Sequence, residues 1–426
     1  MRVEKHSHSG KHWLLLLAAA MVACGMATTT SAAETGAAVY VWGNGGYSQL
    51  GWNNVPTSDR WMPVVVPTLE QGVTAIAAAD RCSFAIQNGS LYAWGDNSYG
   101  MLGLGTSGDY SHYSPQFVSA NGAWTNSGVT AAAVGTWNGF AIQGGSLYVW
   151  GSDILGSSGL GGTVTFAPQP MSTGGEGWTN SGVTAIAAGD RYSLAIQNGA
   201  VYAWGFSVAS TPQPVSTGGE GWTNSGVTSI AAGHVHSLAI QDGTLYAWGA
   251  NFYGCLGLGL EDQGIQATPQ PVSFPGAEGN VTAIAAGGTS SMAVVDGQVY
   301  VWGYGYDSTP QKVDGLANIV NVAIGGNDNT LHPSFYALDA EGVLWAWGHN
   351  NSGQLGVEFG LGTSTFIATP QRVGAGMGAN GEDLTSASIS AGNGIVMAIQ
   401  GVPVPEPVSL LLLSAGAAGL LSRRRK

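Results

Sequence analysis

Positive charge is scarce in this chain of 426 residues. It has 12 Lys and Arg against 25 Asp and Glu. Only five of the basic residues fall between residues 34 and 405, where 23 acids give a net charge of −18 against −13 for the whole chain. Phosphate binding needs clustered cations, so nucleic acid is disfavoured as a partner. Cysteine is rarer still: Cys24, Cys82 and Cys255 are the only three, too few for a disulfide framework. Cys82 and Cys255 fall at different repeat positions in non-adjacent units, so they are expected as two buried thiols and not as a bridge. There is no G-x-S-x-G elbow, H-E-x-x-H, Walker loop or D-x-[DN]-x-[DN]-G calcium pattern. No catalytic, cofactor or metal residue is therefore assigned. His234 and His236 stand two apart without a third ligand, and paired acids such as Glu261-Asp262 and Glu382-Asp383 read as solvated loops. Long apolar runs occur only near the two ends.

What is abundant is glycine, 68 residues, together with 15 Trp in a repeating arrangement. Trp-Gly recurs at Trp42, Trp94, Trp150, Trp204, Trp248, Trp302 and Trp347, with spacings of 52, 56, 54, 44, 54 and 45 residues. Each unit opens on a small-residue strand, predicted at 73–78, 129–134, 183–188, 227–232, 281–286, 319–324 and 385–390. A second strand follows, then Asn-Gly, Asp-Gly or Gly-Gly, which accept the positive φ of a tight hairpin turn. A Tyr/Trp strand and a Gly-rich loop come next, and then a T-P-Q segment whose proline belongs at a sheet edge. Little polar surface remains on either face, so the sheets must be covered on both sides. Sheets packed around an axis do this. The last unit, 385–401, lacks its Trp-Gly strand, and residues 37–42 supply one. The expected fold is an all-β, seven-bladed β-propeller closed by pairing of its N- and C-terminal strands. A solenoid would not need complementary half-repeats at its ends.

The ends read as processing signals. Residues 1–33 have a basic start (Arg2, Lys5, Lys11), an apolar run from Trp13 to Ala23, and small residues before a cut between Ala33 and Glu34. This is the pattern of a secretory signal helix. The alternative is a lipoprotein signal, Met21-Val22-Ala23-Cys24, acylated at Cys24. Residues 402–426 hold Pro405-Glu406-Pro407, an apolar stretch over 408–421, and Arg423-Arg424-Arg425-Lys426. Fourteen residues make a helix of about 21 Å, short of a hydrocarbon core of about 30 Å. The basic end would stay cytoplasmic and leave the body outside.

Residues 36–401 resemble the regulator of chromosome condensation repeat family. The resemblance rests on G-H-V-H-S-L-A-I at 233–240, the Y-A-W-G strands, and the N-x-x-G-x-L-G loops at 97–103, 251–257 and 350–356. It implies a seven-bladed propeller. The family includes nuclear exchange factors for a small GTPase and secreted bacterial members, among them a β-lactamase inhibitor. Export and the acidic body argue against exchange activity, as does the lack of an inserted wedge-like segment. The tail resembles a PEP-CTERM sorting signal. That implies transient membrane anchoring, an exosortase-type processing enzyme as partner, and delivery to the cell surface or outside the cell of a Gram-negative bacterium. The expected function is a non-enzymatic scaffold that binds protein or polysaccharide. Alternatives are a secreted enzyme acting on glycans through the funnel, which requires converging carboxylates or His at the axial mouth, and a secreted protein inhibitor.

For binding residues, Trp124, Trp178 and Trp222 share the phrase W-T-N-S-G-V-T and would form an aromatic rim unless each caps its own blade. Tyr47, Tyr99 and Tyr253 recur after Trp-Gly, where they would line another rim.

Overall fold

The structure is a computed structural model that describes residues 38–52, 59–106, 111–153, 156–171, 174–206, 208–259, 264–326, 332–357, 366–374 and 385–401. The predicted signal helix (1–33, with Ala33 and Glu34), the apolar helix (408–421) and the sorting residues Pro405, Glu406, Pro407, Arg423, Arg424 and Arg425 lie outside the described residues. No helix among the described residues is long and apolar enough to cross a membrane.

The described strands form seven antiparallel four-stranded sheets. Six sheets take their strands in chain order, opening at Val73, Val129, Val183, Val227, Val281 and Ile319; they are blades I to VI here. The seventh is the closing blade. Its inner strands are Ser386–Ala391 and Ile395–Gln400, and its outer strands are Val39–Gly43 and Arg60–Val65. Val39 pairs with Ile399 and Gly43 with Ile395, so the N-terminal strand completes a sheet that the C-terminus begins. The half-repeats at the two ends are complementary because each alone would leave a strand edge open at the ring's seam.

The second strand of each blade is buried almost throughout, as in Tyr192–Gln197 and His236–Gln241. This is the two-sided burial that the continuous apolar runs require. In every blade the pairing of first and second strands shifts register near the start of the first strand, for example between Val183 and Ala185. A bulge there adds local twist. The T-P-Q segments form the outermost strands, where the missing N–H of proline goes unused.

In five of the seven blades the recurring tryptophan joins the blade to the one before it through a loop carbonyl. The indole N–H of Trp94 donates to the Gln49 carbonyl at 2.8 Å, Trp150 to Met101 at 2.7 Å, Trp204 to Ser157 at 3.1 Å, Trp302 to Cys255 at 2.8 Å and Trp42 to Gln354 at 2.8 Å. Each acceptor lies in the N-x-x-G-x-L-G loop, or its equivalent, of the preceding blade. The loop motif thus supplies a carbonyl to the neighbour's tryptophan, which is why motif and tryptophan recur together.

Candidate functional site

Antiparallel order sorts the connections onto two faces. The links from first to second strand and from third to fourth strand lie at one end of each sheet, the loop face. The Asn-Gly hairpins and the links between blades lie at the other, the turn face.

The phrase W-T-N-S-G-V-T belongs to the turn face, and its tryptophans are buried: Trp124 is 1% exposed, Trp178 9% and Trp222 3%. The expectation that they form a binding rim is corrected. Each packs against a Tyr and a Trp of its neighbourhood, as Trp178 does with Tyr202 at 5.1 Å and Trp204 at 6.3 Å between ring centroids. The asparagine after each is structural as well. At φ near +51° its carboxamide accepts from the N–H of Leu91, Leu147 or Val201 and donates to the same residue's carbonyl, closing a strand edge. A short polar side chain tolerates that backbone conformation.

The loop face is different. Tyr47 and Tyr99 are each 39% exposed and Tyr253 is 53% exposed. The Arg81 guanidinium lies 4.5 Å from the centre of the Tyr47 ring and 5.7 Å from that of Trp137. Tyr99 meets Trp137 edge-on at 4.7 Å. One cluster therefore spans the closing blade and blades I and II. Burial disfavours the Arg81 charge, but Tyr47, Asp80 and Asp96 hold its pKa above the ordinary arginine value. Further round the ring, Arg191 lies over Phe206 at 5.9 Å, and Tyr253 packs on Tyr304 at 5.0 Å. The sequence points to Asp80-Arg81 and Asp190-Arg191 as structural pairs, but not to Trp137 or to the stacking of Arg81 on the aromatics, because these residues sit in different repeat positions from the tyrosines they touch.

At the centre of the loop face the first strands of all seven blades end around an axial cavity of about 120 Å³. Its wall is mostly Ala and Gly, and five blades in succession add a polar side chain: Asn393, Asp80, Thr136, Asp190 and His234. These residues bridge neighbouring blades. Asn393 Nδ2 donates to Asp80 Oδ1 at 2.9 Å. Thr136 Oγ1 donates to Asp190 Oδ1, and His234 Nδ1 lies 3.0 Å from Asp190 Oδ2. Each of these acids also pairs with the arginine that follows it, Arg81–Asp80 at 3.5 Å and Arg191–Asp190 at 3.7 Å. Burial raises the Asp190 pKa, but the bonds from His234 and Thr136 and the nearby positive groups outweigh it and leave the carboxyl below its ordinary value.

Carboxylates and a histidine do reach the mouth, as an enzymatic funnel would require. Their order is wrong for nucleophilic chemistry. In a triad the imidazole stands between hydroxyl and acid, whereas here the acid stands between Thr136 and His234. No group of three or more His, Cys, Asp or Glu suited to a metal occurs among the described residues. His236 is fully buried, with Nε2 2.9 Å from Ser291 Oγ, and serves packing. Cys82 and Cys255 are separate buried thiols, and burial pushes the pKa of Cys255 up to about 12.

A ring of sheets with bonded, self-satisfied loops around a shallow mouth defines a propeller scaffold whose exposed chemistry lies on one face. The chain belongs to the regulator of chromosome condensation (RCC1) repeat family: the family model matches residues 37–86, 88–142, 242–294 and 341–399. The ultraviolet-B receptor UVR8 of Arabidopsis thaliana is 30% identical over 396 residues, covering 88% of this chain and 74% of the receptor. The human E3 ubiquitin-protein ligase HERC2 is 30% identical over 192 residues, which are 43% of this chain and only 4% of the ligase. The fold matches that of Prp20p from Saccharomyces cerevisiae, with a TM-score of 0.72 at 19% identity, covering 88% of this chain and 93% of that one. It also matches human WBSCR16, with a TM-score of 0.70 at 20% identity, covering 85% and 100%.

Proposed function

We propose that this chain is an exported, non-enzymatic propeller scaffold that holds a protein partner on its loop face, at the cell surface or in the extracellular matrix. The observation that carries the reading is the cluster in which exposed Tyr47 and Tyr99 flank half-buried Arg81 and Trp137. Tyr, Trp and Arg are the residues that dominate protein interfaces, and here they are held rigid by contact with one another. Protein is favoured over polysaccharide by likeness of fold: Prp20p was described with its binding properties to Gsp1p and histones, and yeast RCC1 (Prp20) with Kap60 bound. Export is supported by the basic start and apolar run of residues 1–33, and sorting by Pro405-Glu406-Pro407, the apolar stretch and the arginine cluster. An exosortase-type enzyme is the processing partner in this reading, with the membrane anchor transient.

Two measurements test it. Mass spectrometry of the mature protein is expected to find no peptide from residues 410–426; a retained tail contradicts the processing step. Affinity capture from envelope and medium fractions is expected to recover a protein with the wild-type chain and to lose it with Tyr47→Ala/Arg81→Ala/Tyr99→Ala. Recovery unchanged in that variant overturns the loop-face assignment.

A further inference from the structure

The axial mouth borders the aromatic cluster through the Arg81–Asp80 pair, but its lining is of a different kind and calls for a ligand of its own. Its volume of about 120 Å³ is far above the roughly 10–15 Å³ that one water needs. Two features limit what fits. Both acids are already paired, Asp80 with Arg81, which Asp96 also engages, and Asp190 with Arg191 and with His234 Nδ1, so a free cation would have to share oxygens that already have partners. They nevertheless keep acceptor capacity, because a carboxylate offers about four lone-pair sites. Asp80 uses one oxygen for Asn393 and the other for Arg81. The Asn393 amide adds a donor and an acceptor, since its one bond among the described residues is the Nδ2 donation to Asp80.

The polar groups occupy one continuous arc of five blades. The remaining two blades present Gly288 and Gly326 with small apolar neighbours such as Ala286. The complement of such a wall is a neutral molecule with hydroxyls along one edge, able both to donate and to accept, and C–H groups elsewhere. We infer that the mouth binds a neutral polyhydroxylated ring, a sugar residue, through Asp80, Asn393, Asp190 and His234. Thr136 positions Asp190 by donating to its other oxygen. The sugar is either a free monosaccharide or the terminal residue of a glycan. This inference does not rest on the protein-partner reading, since the mouth residues are not those substituted to test it.

Isothermal titration of the full chain with methyl glucosides, galactosides and mannosides, their β1,4-linked tetrasaccharides, myo-inositol and cadaverine tests the assignment. At least one glycoside, tetrasaccharide or inositol is expected to bind saturably, with cadaverine inert. Tighter binding of a tetrasaccharide than of its methyl glycoside identifies a glycan end as the source, and equal binding a free sugar. Asp80→Asn and His234→Ala, checked for unchanged thermal midpoints, are each expected to weaken binding about tenfold through loss of a hydrogen-bond partner. Binding of cadaverine alone overturns the proposal, as does no binding by any neutral probe, or sugar binding unaffected in folded variants. Should neither variant fold, competition between the best neutral probe and cadaverine on the wild-type chain decides it.

Discussion

His236 shows what a single buried residue costs this fold. Its ring is enclosed in blade IV, with Tyr192 bonded to its carbonyl, Ser291 on Nε2 and His234 close by. Burial first, and then the neighbouring His234, lowers its pKa to about 4. The unfolded chain takes up a proton near the ordinary value of about 6.5, which the folded chain refuses. Stability is therefore undiminished above that pH and falls as pH drops from about 6.5 towards 4. The loss due to this residue is about 2 kcal/mol at pH 5. Asp190 acts lower: its folded pKa lies below the ordinary carboxylate value, so its contribution is lost only as pH falls through that range. Urea titrations at pH 7.5 and 5 are expected to show the drop in wild type and a smaller one in His236→Asn. Equal drops would assign the pH dependence to other groups. The single-residue level was also where the sequence was least legible. A tryptophan in W-T-N-S-G looks the same whether it faces solvent or a neighbouring sheet, and only the adjacent blade decides.

Elements were far more legible, because their signals are local. The strands predicted at 73–78, 129–134, 183–188 and 227–232 coincide with those observed, and the hairpin glycines sit at the expected turns. The meaning of Trp-Gly needed the structure. Its glycine has φ near +100° in every blade, and a Cβ there would strike the backbone that links first and second strands. At Gly205, with φ +111°, an added Cβ would lie 2.6 Å from the Arg191 carbonyl oxygen. Gly205→Ala is expected to cost about 2 kcal/mol or more, combining a conformation that L-residues avoid with that clash. Gly264→Ala, where an added Cβ meets nothing within 4 Å, is the control and is expected to change stability little. Comparable losses in the two variants, read from thermal midpoints, would remove close packing as the reason for the motif.

At the scale of the whole molecule, closure and face polarity govern. The seam was readable because two incomplete phrases add up to one blade, whereas the axial mouth was not. Its five polar residues come from five blades and meet only when the ring closes. Ile395, Met397 and Ile399 share a core with Val39, Val41, Leu50 and Trp94, so the C-terminal strand holds both ends. A chain truncated after Gly394 loses this strand and is expected to unfold without a cooperative thermal transition. One ending at Gly401 is expected to keep the wild-type transition. A cooperative transition at the wild-type temperature in the shorter chain would mean that the ring does not depend on its shared blade. The proposed surface for partner recognition is the loop face. Hydrogen–deuterium exchange on the captured complex tests this most directly. It is expected to show new protection in residues 44–52, 79–81, 97–103 and 135–137; protection confined to the turn face, at 88–89, 174–182 and 218–226, would contradict it.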